Sequence, residues 1–283
     1  MPTFTNKATL SYNGISVDSN TVTGNYAEPL TATKTSLNGS YGDGERITYA
    51  VSLINSSASS LSGLTVTDDL GGYVFDGGTV YPLSYVDGSL LYLVNGIPQI
   101  SPVTVAGPPL SISGITVPAG GNVTLIYESD VTEFAPLAAG GQITNTVTVS
   151  GAALPEPIIA SETIDSTVGP LLSIVKSLCP TTVTDSGELT YTFVIENSGN
   201  KEIVATDNAT VTDIFEPIIN ITSVTLDGVP LVLGTGYSYD TASGLFETLP
   251  GTITVPAATY IQEPDGSYTT VPGSTTLIVS GTI

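Results

Sequence analysis

The 283-residue chain has no histidine, no tryptophan, one cysteine, one methionine and only five basic residues. Each shortage excludes something. Five Lys and Arg cannot build the basic face that a nucleic-acid binder needs, nor a patch for an anionic membrane surface. Without histidine the usual general base, proton shuttle and preferred zinc ligand are missing. Cys179 alone allows no internal disulfide and no thiolate metal cluster. No Gly-x-Ser-x-Gly turn presents a serine nucleophile. The expectation is a protein that is not an enzyme, with no cofactor and no metal. No run of about 20 apolar residues offers a membrane span. Residues 1–7 do not read as a secretory leader, because no cationic start precedes an apolar run.

What is present points to folded β-structure. Against the 5 basic residues stand 26 acidic ones, a net charge of −21. Yet 41% of residues are apolar and only 11% charged, so the chain is not a solvated acidic tail. Its length suits about two domains. Thr and Ser alternate with Val, Ile and Leu in short runs, as in residues 47–54, 123–127 and 143–149. Alternation gives each run one wet and one dry face, and Gly, Pro, Asn and Asp fall between the runs. Thr-rich strands broken by frequent turn signals predict a β-sandwich.

An internal repeat sets the organisation. Leu30–Ser36, with Lys34, matches Leu172–Leu178, with Lys176. Gly44-Glu45 through Tyr49 matches Gly187-Glu188 through Tyr191, and Tyr to Asn spans six positions in both copies, ending at Asn55 and Asn197. Thr65–Asp68 matches Thr210–Asp213, and Ile115–Ala119 matches Ile253–Ala257. Tyr85-Val86-Asp87-Gly88 is paired with the run into Asp227-Gly228, both read as a strand entering a hairpin turn. The fold class expected is all-β: two tandem Ig-like β-sandwiches, 29–169 and 170–283, after an N-terminal segment, 1–28.

The copies end differently. The first continues through 143–149 and 158–168, whereas the second stops at Ile283 without such strands. The counterpart lies at the other terminus, where Phe4–Ser11 matches Ile143–Ser150 and the residues through Val17-Asp18-Ser19 match the run toward Ile164-Asp165-Ser166. A sandwich without its last strands leaves unpaired backbone groups and an open core. Segment 1–28 is therefore expected to be a donor, with Phe4, Asn6, Ala8, Leu10, Ile15 and Val17 as the inserted side chains, or the opposite alternate set according to register. It would complete the second sandwich of a neighbouring copy, head-to-tail, or else close a ring within one chain. The link from Gly24 to Leu30 is short, like that from Val168 to Leu172, and repeating one junction builds a linear homopolymer.

The series Leu-x-x-x-Lys-Ser/Thr, Gly-Glu-x-Thr-Tyr, Asn-Ser, Thr-Val-Thr-Asp and Thr-Asn-x-Ala/Val-Thr resembles the Ig-like conserved repeat domain of bacterial surface proteins, which in turn resembles pilin stalks. The permuted layout is similar to donor-strand pilins, including the spore-appendage type that assembles without a leader. The resemblance implies a structural subunit of an extracellular filament on a cell or spore surface. It also implies an isopeptide chemistry: Lys34 with Asn145 beside Asp68 within the chain, and Lys176 with Asn6 of a neighbouring chain beside Asp213. Glu45 and Glu188 are second choices for the acid. The plainer alternative makes Lys34 and Lys176 strand-edge charges and Asn145 a turn cap. Asp68, Asp69 and Asp76 have no recognised calcium spacing and read as a solvated acidic loop. Another function stays open, an adhesin-stalk fragment with a ligand surface in the Gly71–Pro109 insert.

Overall fold

The computed structural model describes residues 3–25, 29–100, 102–184 and 187–283. The expected donor segment and its link to Leu30 thus fall partly outside the described residues, at 1–2 and 26–28. The chain is all-β. Among the described residues the one helical turn is a 3₁₀ segment at Ala205–Asp207, and no described helix is long and apolar enough to cross a membrane.

Strands β1 (Thr3–Asn6), β2 (Thr9–Tyr12), β3 (Ile15–Asp18) and β4 (Val22–Asn25) make one long hairpin, β1 on β4 and β2 on β3. Asn13 and Gly14, at φ 46 and 79, form the two-residue turn between Tyr12 and Ile15. Positive φ at both turn residues is what Asn-Gly supplies at low steric cost.

The first sandwich holds β5 (Leu30–Ser36), β6 (Ser40–Tyr41), β7 (Arg46–Asn55), β8 (Leu61–Asp68), β9 (Tyr73–Phe75), β10 (Gly78–Val80), β11 (Leu83–Tyr85), β12 (Leu91–Val94), β13 (Ile97–Pro98), β14 (Val103–Val105), β15 (Leu110–Val117), β16 (Asn122–Val131), β17 (Gln142–Ser150) and β18 (Ile158–Ser166). One sheet runs β13-β12-β16-β7-β5, with β11 also on β16; the other runs β14-β15-β8-β17-β18-β6. The inward set of β7 (Ile47, Tyr49, Val51, Leu53) meets that of β16 (Val123, Leu125, Tyr127), all buried. β18 packs across β5 and closes the edge of the core.

The second sandwich holds β19 (Leu172–Cys179), β20 (Glu188–Asn197), β21 (Thr212–Ile214), β22 (Asn220–Leu226), β23 (Val229–Pro230), β24 (Tyr237–Asp240), β25 (Leu245–Thr248), β26 (Thr259–Gln262), β27 (Tyr268–Val271) and β28 (Gly273–Thr282). Its larger sheet runs β19-β20-β28-β22-β23, facing the short sheet β21-β25-β24. A separate core forms around Leu189, Phe193, Phe215, Phe246, Leu277 and Val279.

Pairing registers correct two details of the repeat. Asp227-Gly228 does turn the hairpin β22–β23, but Asp87-Gly88 does not match it: β11 and β12, on either side, both lie along β16, and the first sandwich turns its hairpin at Asn95-Gly96. Nor does Val17 take the place of Ile164. Ile143 faces Ile164 across β17–β18, whereas Phe4 faces Gly24. Leu10 faces Val17 as Val149 faces Ile158, so Val17 corresponds to Ile158 and Gly24 to Ile164, an offset that local motif matching cannot see.

In the first sandwich β17 pairs with β8 from Val147↔Asp68 to Ser150↔Thr65. In the second, β21 pairs only with β25 and is an edge. Leu30 is 0% exposed, while its counterpart Leu172 is 47% exposed. Leu30→Ala should therefore cost about 2–5 kcal/mol of first-sandwich stability. Leu172→Ala should cost the second sandwich of the isolated chain only about 0.5 kcal/mol. Denaturant unfolding of each variant reads the contrast.

Candidate functional site

Two surfaces lack what covers their counterparts. On the second sandwich, β19 is exposed along its whole length. Its inward-parity residues Leu172, Ile174 and Leu178 remain in contact with solvent. A cleft of about 200 Å³ runs between Leu172 and Ile174 on one side and Ala209, Val211, Ile253 and Val255 on the other. This is the space that the β17–β18 pair fills in the first sandwich.

The other uncovered surface is the N-terminal hairpin. Directly opposed residues of antiparallel strands share a face, and so do residues two apart. Phe4, Asn6, Leu10, Tyr12, Ile15, Val17, Val22 and Gly24 thus lie on one face. Phe4, Leu10, Tyr12, Ile15, Val17 and Val22 are all at least half exposed. Ala8 follows the same parity between β1 and β2. The other face is polar: Lys7 donates to Asp18 at 2.5 Å, Thr9 Oγ1 to Asp18 at 2.7 Å, and Ser11 and Ser16 share a 2.9 Å bond. The Phe4 ring lies on Gly24, where a Cβ would sit 2.3 Å from Phe4 Cζ.

Inside the first sandwich, Lys34 and Asp68 form an ion pair at 2.7 Å, their side chains 0% and 1% exposed. Lys34 lies on the edge strand β5, but its side chain is buried against Asp68 and so does not guard the edge. Nor is Asp68 part of a solvated loop: Oδ2 accepts from Lys34 Nζ and Tyr127 Oη, and Oδ1 from the Leu70 N–H at 2.8 Å. Asp69 accepts from the Thr146 and Gly71 N–H groups, each at 2.9 Å. No group of three His, Cys, Asp or Glu side chains gathers as a metal site among the described residues. Burial lowers the Lys34 pKa, and the Asp68 charge and hydrogen bond, then the charges of Asp69 and Glu162, partly offset this. Lys34 Nζ stands 4.7 Å from the Tyr49 ring centroid.

Asn145 faces the same interior from β17 and does not cap a turn. It is fully buried, and neither Oδ1 nor Nδ2 has a hydrogen-bond partner of normal geometry among the described residues. It nevertheless lies close enough to Tyr49 to oppose the upward push that burial gives that phenol. Glu45 and Glu188 are exposed; Glu45 bonds the Gly42 N–H at 2.9 Å. Sequence reasoning missed Tyr127, although its parity with Val123 and Leu125 marks it as inward-facing, and Glu162, which stands opposite Asn145.

The second sandwich carries half of this constellation. Lys176 contacts Asp213, but their side chains are 40% and 18% exposed. Lys176 Nζ lies over Tyr191, 4.5 Å from its centroid, and nearer the solvent than Lys34. Val279 pairs with Tyr191 where Tyr127 pairs with Tyr49, so the phenol donor to the carboxylate is absent. Cys179 ends β19 exposed and free. Part of the Gly71–Pro109 insert is structural: Phe75 and Val80 of β9 and β10 pack on Gly266 of the second sandwich.

No family model and no curated protein matches the chain. Among solved structures it is similar to BcpA, the major pilin subunit of Bacillus cereus, at 12% identity and TM-score 0.37, covering 96% of this chain and 73% of that one. It is similar to the major pilin SpaD of Corynebacterium diphtheriae at 11% and 0.36, covering 86% and 59%. A family 123 glycoside hydrolase from Clostridium perfringens matches at 11% and 0.30, over 50% of this chain and 28% of that one. Scores this low bear on neither mechanism nor partner, and the sandwich assignment rests on the strand order above.

The ion pairs give two tests. Lys34→Ala strands a buried carboxylate and should cost about 3–5 kcal/mol. Lys176→Ala in the isolated chain should cost under about 1 kcal/mol, since that pair is partly solvated. Urea unfolding measures both. Alkaline pH probes the phenols. Burial raises the pKa values of Tyr41, Tyr49 and Tyr127 above the ordinary value of 10.0, so above it the folded chain holds protons that the unfolded chain releases. Their contribution is intact below pH 10 and is lost as pH rises beyond it. Tyrosinate absorbance of these three should appear only with unfolding.

Proposed function

We propose that the protein is the structural subunit of an extracellular bacterial filament, on a cell or spore surface, that polymerises head-to-tail by strand donation. Residues 1–28 of one copy complete the sandwich 170–283 of the next. One observation carries the reading: a single chain holds an open groove, a free hairpin of matching pattern, and a closed sandwich showing the filled arrangement. Phe4, Asn6, Ala8 and Leu10 take the places of Ile143, Asn145, Val147 and Val149. Ala8 then faces Asp213 as Val147 faces Asp68.

The donated face buries several apolar side chains at ~25 cal/mol per Å². Each new ladder hydrogen bond adds about 1 kcal/mol. Release reopens the groove, so dissociation is slow. The arm enters the first sandwich through a short link, as the first enters the second. Repetition of that junction favours a linear array over a closed ring.

The same reading places two amide cross-links, Lys34–Asn145 within the chain and Lys176–Asn6 between chains. The Lys–Asp hydrogen bond offers the route. A proton passes from Nζ to the carboxylate of Asp68 or Asp213, and the neutral amine attacks Asn Cγ. The carboxyl proton passes to Nδ2, the Cγ–Nδ2 bond breaks and ammonia leaves, and the carboxylate takes the second Nζ proton, so the new amide keeps one hydrogen and the acid ends protonated. Supporting this, Asn145 is buried without partners, at a cost of about 1–3 kcal/mol per unsatisfied group.

Deleting residues 1–22 should abolish filaments in electron micrographs while the first sandwich stays folded. A synthetic 1–25 peptide should bind the truncated chain. Filaments that persist after the deletion refute strand donation. Each cross-link lowers the intact mass by about 17 Da. Boiling in detergent leaves a ladder if the Lys176–Asn6 bond forms. An unchanged mass removes both bonds and leaves donation without them.

A further inference from the structure

The joint between the two sandwiches of one chain is held at several points. Asn200 donates through Nδ2 to the carbonyls of Leu137 at 2.8 Å and Thr167 at 3.0 Å, and its Oδ1 accepts from the Gly169 N–H at 3.0 Å. A single side chain of the second sandwich thus ties the first sandwich and the link. The β26–β27 hairpin also reaches across. The Tyr268 N–H donates to the Glu133 carbonyl at 2.7 Å, and Gln262 Nε2 donates to Tyr73 Oη at 3.0 Å. Gly266, at φ +90, lies so close to the first sandwich that a Cβ would come within 2.9 Å of Val80 and 3.0 Å of Phe75.

The first sandwich has neither device at the matching place. Asn55 and Asn197 end equivalent strands and donate to equivalent carbonyls, Ser59 at 2.8 Å and Lys201 at 2.7 Å. The next loops also match, since the Ser56 N–H bonds Pro29 at 2.8 Å as the Ser198 N–H bonds Leu171 at 2.9 Å. In that register Ala58 stands where Asn200 stands. Only Ala119 and Gly120 separate Pro118 from Gly121, whereas the whole β26–β27 hairpin separates Pro256 from Gly273.

We infer that the filament has alternating joints. The joint inside each subunit is stiff, and the joint between subunits, where Ala58 and Ala119–Gly120 of one copy face the closed second sandwich of the preceding copy, is pliant. The inference rests on the strand-donation reading. Domains joined by few specific contacts move relative to one another by default. Among the described residues, the clamp and the strut that oppose such motion are found at the intrachain joint alone.

Cryo-electron micrographs of filaments give the angle at successive joints. The spread should alternate, wider between subunits than within them by roughly twofold or more. Replacing residues 258–271 by nothing, together with Asn200→Ala, should widen the intrachain spread until the alternation disappears. Should that change unfold the second sandwich, N200A alone should widen it partly. Equal spreads at both joints of wild-type filaments overturn this inference while leaving donation intact. So does a folded variant whose alternation is unchanged. Failure to form filaments overturns donation itself, and this inference with it.

Discussion

Closure of the groove between the β5-type and β8-type strands is the constraint on which the rest depends. A sandwich with that groove open has an unpaired strand edge and apolar side chains in water, and both are costly. In the first sandwich β17 and β18 settle both at once. They pair with β8 and roof β5, so Leu30 goes to 0% exposure and the Lys34–Asp68 pair loses contact with solvent. In the second sandwich the same strand types, with Leu172, Lys176 and Asp213 in the same places, stand unroofed. The contrast lies within one sequence, so composition and solvent cannot account for it.

Charge narrows what can hold copies together. At −21 per chain, two copies repel at long range, and at physiological ionic strength the repulsion fades beyond about 8 Å. Attraction has to come from contacts shorter than that: backbone ladders and buried apolar area. Four lysines are present, and two of them sit on the inward face at matching positions of the two first strands. Desolvating Lys34 is expensive, and Asp68 repays it only because Tyr127 and the Leu70 N–H complete the carboxylate's bonds.

Much of this was legible in the sequence, because the relevant signals are local. Alternating Thr and Val announced β-structure, the repeated Thr-Val-Thr-Asp located the acids, and Asn-Gly and Asp-Gly located hairpins. What failed depends on register across long loops. Asp87-Gly88 looked like Asp227-Gly228, yet β11 and β12 together do the work of β22, and only pairing with β16 reveals it. Val17-Asp18-Ser19 resembles Ile164-Asp165-Ser166, but the hairpin register sets Val17 opposite Leu10, as Ile158 is opposite Val149. Tyr127 escaped notice because its partner lies on another strand 59 residues away in sequence.

The two lysine sites differ in a way that suits their different histories. In the first, every member belongs to one chain and folds together, so the buried group of Lys34, Asp68 and Tyr127 never stands half-built. A network missing some members is worse than an apolar core, because each unpaired group keeps its desolvation cost. The second site waits, on the strand-donation reading, for a part from another molecule. There Val279 replaces Tyr127, and the arm's register brings Val22 to the place of Glu162. Phe215 stacks on Tyr191 at 4.8 Å and adds further apolar cover. Before assembly, such a site leaves few polar groups stranded, since water serves Lys176 and Asp213 directly. After assembly, the added contacts are mostly hydrophobic, which do not demand the exact geometry that hydrogen bonds do. A junction built from two chains can then close without first solving a polar puzzle in the free subunit.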